Sequence, residues 1–317
     1  MKISVVMATY NGEKYLKEQL DTIRLQTRMV DEVIICDDRS SDQTVELVKN
    51  YTLQYGMQDR WRIVVNEKNL GYANNFNNVT LLASGDIIFF SDQDDLWELD
   101  KVQKMTEIME SHSDCMVLCT DYEPFYVGEK APRASQKVLD RMPNNNVLEK
   151  ITLKPKSVYI GALGCCMCVR RDFYHAIKEY WFDGWAQDDR MWRLAQCADG
   201  CYILHSNLIT HRIHDNNTST YGKYHTIERR VQLFTNMQSA NIMMKSMLED
   251  ALLDASVIDR HILMMKYRIE LLKERKIFRC ISLVAYLGYY QEPKSYLVEM
   301  YMALKKNLLE IMTGLSR

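Results

Sequence analysis

Residues 85–101 read GDIIFFSDQDDLWELDK, and this stretch holds both a buried strand and the groups that the strand delivers. Asp86-Ile87-Ile88-Phe89-Phe90 is a short, nearly continuous apolar run of β-branched and aromatic residues, the pattern of a strand covered on both faces. It ends abruptly at Ser91-Asp92-Gln93-Asp94-Asp95. Carboxylates crowded into one turn disfavour each other's ionisation unless a cation or hydrogen-bond donors compensate. Asp92 and Asp94, two residues apart in a turn, can address one hard divalent cation, so a metal is the economical explanation.

The same grammar extends in both directions. Residues 3–9 form an apolar strand followed by helical spacing at Leu16, Leu20 and Ile23. Residues 32–36 are a second strand, ending in Asp37-Asp38-Arg39-Ser40 before a helical segment over 44–51, and residues 62–66 a third, followed by a helix over 72–83. Downstream, the pattern predicts a helix over 100–111, a strand over 115–120, a helix over 186–198 and a strand over 202–213. Residues 123–150, polar and containing Pro124, Pro132 and Pro143, read as an active-site loop or insertion. Strands alternating with helices predict an α/β domain with a mostly parallel, Rossmann-like sheet flanked by helices. Ligands of such sheets bind beyond the carboxyl ends of the strands, where Thr9-Tyr10-Asn11, Asp37-Asp38, Asn66 and the acidic turn all fall.

From residue 226 onward the periodicity is helical, and charge changes with it. Residues 221–317 hold 15 Lys+Arg against 10 Asp+Glu, while residues 1–220 hold 25 against 32. The expected division is a catalytic domain over 1–220 and a helical region over 221–317 used for packing, oligomerisation or membrane-surface contact. Across all 317 residues the net charge is -2, unlike the basic excess of a dedicated nucleic-acid binder. The amino terminus lacks the long apolar region of a signal peptide, no run reaches the ~18 apolar residues of a membrane span, and the nine cysteines are an odd set. These features predict a cytoplasmic protein with reduced thiols, and basic Lys273-Glu274-Arg275-Lys276 and Arg279 beside apolar Ile281–Tyr290 offer peripheral contact with the inner face of the plasma membrane.

Four ordered segments, ISVVMATYNG at 3–12, VIICDDRSSDQT at 33–44, NLGYANNF at 69–76 and residues 85–101, resemble the nucleotide-sugar-binding half of family 2 glycosyltransferases. The variant SDQDDLW, with QDDRMWRL at 187–194 and HRIHDNNTS at 211–219, is similar to rhamnosyltransferase-like members that build bacterial surface polysaccharide. The resemblance implies a GT-A fold, a nucleoside-diphosphate sugar donor (dTDP-rhamnose or a UDP-hexose), Mn2+ or Mg2+, a saccharide or lipid-linked saccharide acceptor, and inversion at the anomeric carbon.

It also implies roles. Asp94 would be the direct metal ligand, with Asp92 near the metal or ribose and His214 completing the site. Asp38 would bind the base or ribose, the backbone at Ala8 and Tyr10 would frame the base, and Asn69 would approach the donor. Asp188 would be the general base, with Asp189 its rival because Gln187-Asp188-Asp189-Arg190 departs from the family's usual Glu-Asp or His-Asp pattern. A sugar nucleotidylyltransferase would carry a Gly-rich, Arg-containing loop after its first strand, where this chain has Ala8-Thr9-Tyr10-Asn11-Gly12. An inactive nucleotide-sugar-binding or scaffolding protein would have lost the strand-end acids or the base region, and both are present.

Other signals read as structural. Cys165-Cys166-Met167-Cys168 lacks zinc-site spacing and suits close packing. The methionines at 243, 244, 247, 264 and 265 suit a helix-helix core. Trp97, Trp181 and Trp185 could stack on a sugar or fill the core, Arg212 is a candidate phosphate contact, and Asn216-Asn217-Thr218 is a glycosylation sequon that a cytoplasmic chain would not use.

Overall fold

A computed structural model describes residues 1–129, 131–215 and 226–313, with the backbone alone described from 306 to 313. The chain divides into two compact units: Met1–Thr152 with Ile160–Glu179 and Asp183–Ser219, and Leu153–Tyr159 with Tyr180–Phe182 and Thr220–Arg317. Residues 216–225 lie outside the described residues, and with them the expected division after 220 and the Asn216-Asn217-Thr218 sequon.

The first unit begins with β1 (Ile3–Thr9), α1 (Leu16–Arg24), β2 (Glu32–Asp37), α2 (Thr44–Gln54), β3 (Trp61–Val65), α3 (Tyr72–Leu81) and β4 (Ile87–Ser91). β5 (Leu96–Trp97), α4 (Lys101–Ser111), β6 (Val117–Tyr126), α5 (Gln136–Leu139), β7 (Leu148–Ile151), β8 (Met167–Arg170), α6 (Arg171–Ala176), α7 (Gln187–Cys197) and β9 (Cys201–Ile213) complete it. One sheet runs β3-β2-β1-β4-β8-β6-β9-β5, with β7 pairing β9. The pairs β3-β2, β2-β1, β1-β4 and β6-β9 are parallel, while β8 and the short strands β5 and β7 pair antiparallel. The expected mostly parallel α/β sheet flanked by helices is present.

Apolar continuity explains the burial: Val5, Val6 and Met7 of β1, Val33–Ile35 of β2 and Ile87–Phe89 of β4 are all fully buried. Removing such side chains from water is worth roughly 1.5–3 kcal/mol each. Gly85 serves this packing directly, because a Cβ there would lie 2.6 Å from the Ser4 backbone nitrogen.

Residues 123–150 depart from the loop expected of them. β6 passes through Pro124 to Tyr126, and the segment also contains α5 and the start of β7. Pro124 lies beyond Val117–Cys119, the part of β6 that β8 pairs with, so among the described residues β6 has a ladder partner there only in β9.

The second unit contains α8 (Ile227–Asp250), α9 (Ser256–Leu272), α10 (Arg279–Val284) and α11 (Lys294–Thr313). Thr226 caps α8 by accepting a hydrogen bond from the Arg229 backbone N–H at 3.3 Å. Met244, Met264 and Met265 are fully buried, as the helix-core reading requires. A buried ion pair joins α9 to α11: Arg268 donates to both oxygens of Glu299, at 3.0 and 2.6 Å, while its guanidinium stacks 3.8 Å above the Phe234 ring of α8. Removing the acid strands a buried cation, so Glu299→Ala is expected to destabilise the protein by about 3–5 kcal/mol, read from urea denaturation followed by circular dichroism.

Candidate functional site

β1 feeds β2 and β3 on one side, and the chain then returns to place β4 on the other. Strand order therefore reverses between β1 and β4, and a crevice must open at their carboxyl ends. A cavity of about 940 Å³ occupies that position. Its wall includes Ala8, Tyr10, Asp38, Asn69, Asp92, Asp94, Asp188 and His214. Asp189 is not among the lining residues.

The turn after β1 is locked by a residue the sequence left without a role. Gln93, between the two acids, accepts from the Tyr10 N–H at 2.9 Å and donates back to the Tyr10 carbonyl at 3.1 Å, as a paired strand would. Gly12 makes room for it, since a Cβ there would meet the Gln93 Oε1 at 2.3 Å. The Tyr10 ring is half exposed at the cavity wall, as a stacking surface must be.

Asp37 and Asp38 separate as adjacent strand-end residues should. Asp37 turns inward and accepts from the Ser40 N–H at 2.8 Å and the Thr9 hydroxyl at 2.9 Å, closing the turn. Asp38 reaches the loop before α3, accepting from the N–H groups of Leu70 and Gly71, each at 2.8 Å, and from the Asn66 amide at 2.9 Å. Asn69 donates to the Asp38 carbonyl at 3.0 Å. Asp38 thus shapes this wall of the cavity as well as lining it.

On the acidic turn, Asp94 Oδ2 lies 2.9 Å from His214 Nε2. The Asp92 carboxyl is pushed up to about 8, first by burial and then by the charges of Asp95 and Asp94. Carboxylate and imidazole donors meeting in this way fit a divalent cation.

Asp95, the last acid of the turn, is fully buried. Its Oδ1 accepts from the His211 ring at 2.8 Å and from the Arg212 backbone N–H at 3.0 Å. Burial alone would lower the His211 pKa, but the Asp95 carboxylate outweighs it and holds the ring at about 9. Arg212 donates from Nε to the Asp94 carbonyl at 2.8 Å and from its terminal nitrogen to Glu18 at 2.5 Å. These contacts make Arg212 a brace for the acidic turn, in place of the phosphate contact considered from sequence.

Asp95, His211 and Cys165 bring ligand-type atoms within 4.8 Å of one another, a grouping invisible when the cysteine cluster is read alone. The buried Lys101 amine donates to the Cys165 carbonyl at 3.4 Å, and burial pulls its pKa down. His211 binds Asp95 Oδ1 while Asp95 Oδ2 is buried without a hydrogen bond among the described residues, and contact with Cys166 followed by burial keeps the Cys165 thiol well above its ordinary pKa. The cluster reads as structural support behind the cavity.

Asp188 stands in the first turn of α7 and lines the same cavity. Burial, and then the neighbouring Asp189, push its carboxyl up to about 6. Gly164 allows the close approach, because a Cβ there would lie 3.3 Å from the Asp188 Cβ. Asp189 is committed elsewhere, accepting from Arg193 Nε and from the Trp185 indole, both at 2.8 Å. Trp185 and Trp97 are buried residues outside the cavity wall, Trp97 lying 6.0 Å from Phe89 between ring centroids, so packing explains both.

Residues 4–177 match the family model described as glycosyl transferase family 2, which is more than half of the chain. The chain belongs to that family. It is 32% identical over 151 residues to the putative glycosyltransferase EpsE of Bacillus subtilis, covering 48% of this chain and 52% of that protein. It is also 32% identical over 120 residues to the putative teichuronic acid biosynthesis glycosyltransferase TuaG of B. subtilis, covering 38% and 46%. The chain therefore spans about half the length of these relatives. The crystal structure of S. aureus TarS 1-349 in complex with UDP-GlcNAc shares the fold, with a TM-score of 0.61 at 16% identity over 96% of this chain and 92% of that one. The GT-A-like α/β architecture is thus common to both.

Removing Asp38 takes the acceptor from the Leu70 N–H, while the Gly71 N–H keeps Asn69 at 3.1 Å and the Asn66 amide keeps Asn75 at 3.0 Å. Asp38→Ala is expected to cost about 1–3 kcal/mol, measured as a shift in the urea midpoint.

Proposed function

We propose that the protein is a metal-dependent inverting glycosyltransferase of bacterial surface polysaccharide or lipopolysaccharide synthesis. The donor is a pyrimidine nucleoside-diphosphate sugar, a UDP-hexose or dTDP-rhamnose, and the acceptor a saccharide or lipid-linked saccharide. The observation that carries this reading is that one cavity is lined both by Asp188, its carboxyl pushed up to about 6 by burial and then by Asp189, and by Asp92, Asp94 and His214. TarS crystals holding UDP and UDP-GlcNAc support a uridine donor. The surface-polymer relative TuaG supports the pathway class. Cytoplasmic placement at the inner face of the plasma membrane accords with that pathway, and among the described residues no helix is long and apolar enough to cross a membrane.

The roles follow from the lining residues. Tyr10 supplies a ring and backbone groups to the base, with Asp38 and Asn69 beside them. Asp188, ionised above its pKa, accepts the proton of the acceptor hydroxyl while that oxygen bonds to the anomeric carbon. The bond from that carbon to the diphosphate oxygen breaks on the opposite face and its electron pair leaves with the diphosphate, inverting the centre. Asp94 and His214, with Asp92 beside them, would hold Mn2+ or Mg2+, which when bound offsets charge on the departing diphosphate. Asp189 is excluded as base in this reading because Arg193 and Trp185 already occupy its oxygens.

Thermal-shift measurements with UDP-, dTDP- and GDP-sugars, with and without Mn2+, test donor class and metal together. Asp94→Ala is expected to abolish metal-dependent donor stabilisation. Asp188→Asn should keep that stabilisation and lose about 10²–10⁴-fold in turnover; wild-type turnover by both variants rejects the mechanism. Because the base works deprotonated, turnover should climb as pH rises through about 6 and then level off, measured by initial rates at saturating donor.

A further inference from the structure

Helices α10 and α11 carry large apolar side chains on their outer faces. On α11, Glu299 and Ala303 are buried, while Leu297, Tyr301 and Leu304 are exposed at successive turns, Tyr301 by 61%. Leading into and along α10, Phe278, Ile281 and Val284 are exposed three residues apart, Ile281 by 79%, while Leu283 is buried. The Tyr296 hydroxyl donates to the Cys280 carbonyl at 3.0 Å, so the segment beside Ile281 is joined to the segment beside Leu297. A helix that buries a glutamate and exposes leucine and tyrosine has its amphipathic pattern turned outward, which marks an interaction surface.

The charges around these stripes say what they meet. Lys273, Arg275, Lys294 and Lys305 are exposed on the same stretch. Glu274 lies 2.8 Å from Lys276, Glu299 is buried against Arg268, and Glu270 pairs with Arg279, which leaves Glu292 as the other described acid of the stretch. Cations also sit directly against the apolar groups, with the Lys305 ammonium 5.9 Å from the Tyr301 ring centroid and the Arg279 guanidinium 4.9 Å from that of Phe278. Apolar side chains rimmed by long basic ones suit a layer that is hydrocarbon below and anionic above. A second copy of this face would instead bring two cationic rims together.

We propose that the α10–α11 face docks on an anionic lipid bilayer, with Ile281, Leu297 and Tyr301 entering the acyl boundary and the flanking lysines meeting headgroup phosphates. This deepens the membrane placement proposed above and rests on that part of the reading alone.

The test is co-sedimentation of the full chain with vesicles of phosphatidylcholine, alone or mixed with phosphatidylglycerol. Binding is expected only with the anionic vesicles, and it should fall as salt rises. Lys294→Gln and Lys305→Gln should each weaken it about fivefold. Leu297→Glu with Tyr301→Glu should abolish it, and circular dichroism and donor-dependent thermal shifts should remain as in the parent, which separates this inference from sugar transfer. No sedimentation with either vesicle at low salt, unchanged binding by the double-glutamate variant, or a dimer in analytical ultracentrifugation that this variant dissolves would each overturn the proposal.

Discussion

The Asp95 carboxylate fastens the end of β9 to the turn that leaves β4, and the acidic wall of the cavity depends on that fastening. One oxygen binds both the His211 ring and the Arg212 backbone, and Arg212 returns to hold the Asp94 carbonyl. The result is a closed loop of contacts in which the direction of His214 follows from where β9 ends. A buried anion is costly on its own, but here a histidine kept protonated by the same carboxylate balances it, so the charges stabilise each other in place.

Much of this was legible in sequence because strand ends are readable without knowing the fold. An apolar run that stops at Asp37-Asp38 or at Asp92-Gln93-Asp94-Asp95 announces both the strand and the edge at which its polar groups emerge. The division of labour between Asp37 and Asp38 also follows from alternation along an extended chain. What stayed hidden were pairings between residues far apart in the chain. Gln93 finds Tyr10 across 83 positions, and His211 finds Asp95 across 116. No local pattern distinguishes Gln93 from a spacer, nor Asp95 from a third ligand; only the assembled sheet does. Arg212 was misread for the same reason, since a guanidinium near a phosphate site and one bracing a turn look alike in sequence.

Two parts of the cavity lining solve opposite electrostatic problems. On the β4 side several acids gather and need positive charge, which the surroundings supply only in part. On the α7 side the Asp188 carboxyl is pushed up chiefly by withdrawal from water and then by Asp189. A single sheet can host both because its strand ends and the α7 helix approach the same opening from different directions.

Asp188 and Asp189 are consecutive on the first turn of α7, so their side chains leave the helix about 100° apart. One meets the opening and the other meets Arg193. Chain length ahead of the helix therefore matters more than the identity of most residues in it. Inserting or deleting one residue before Gln187 would turn the helix as a whole, keeping the Asp189–Arg193 pair together while carrying Asp188 away from the opening. Natural or engineered variation in this segment should accordingly come as substitutions, while changes in spacing are the harsher event.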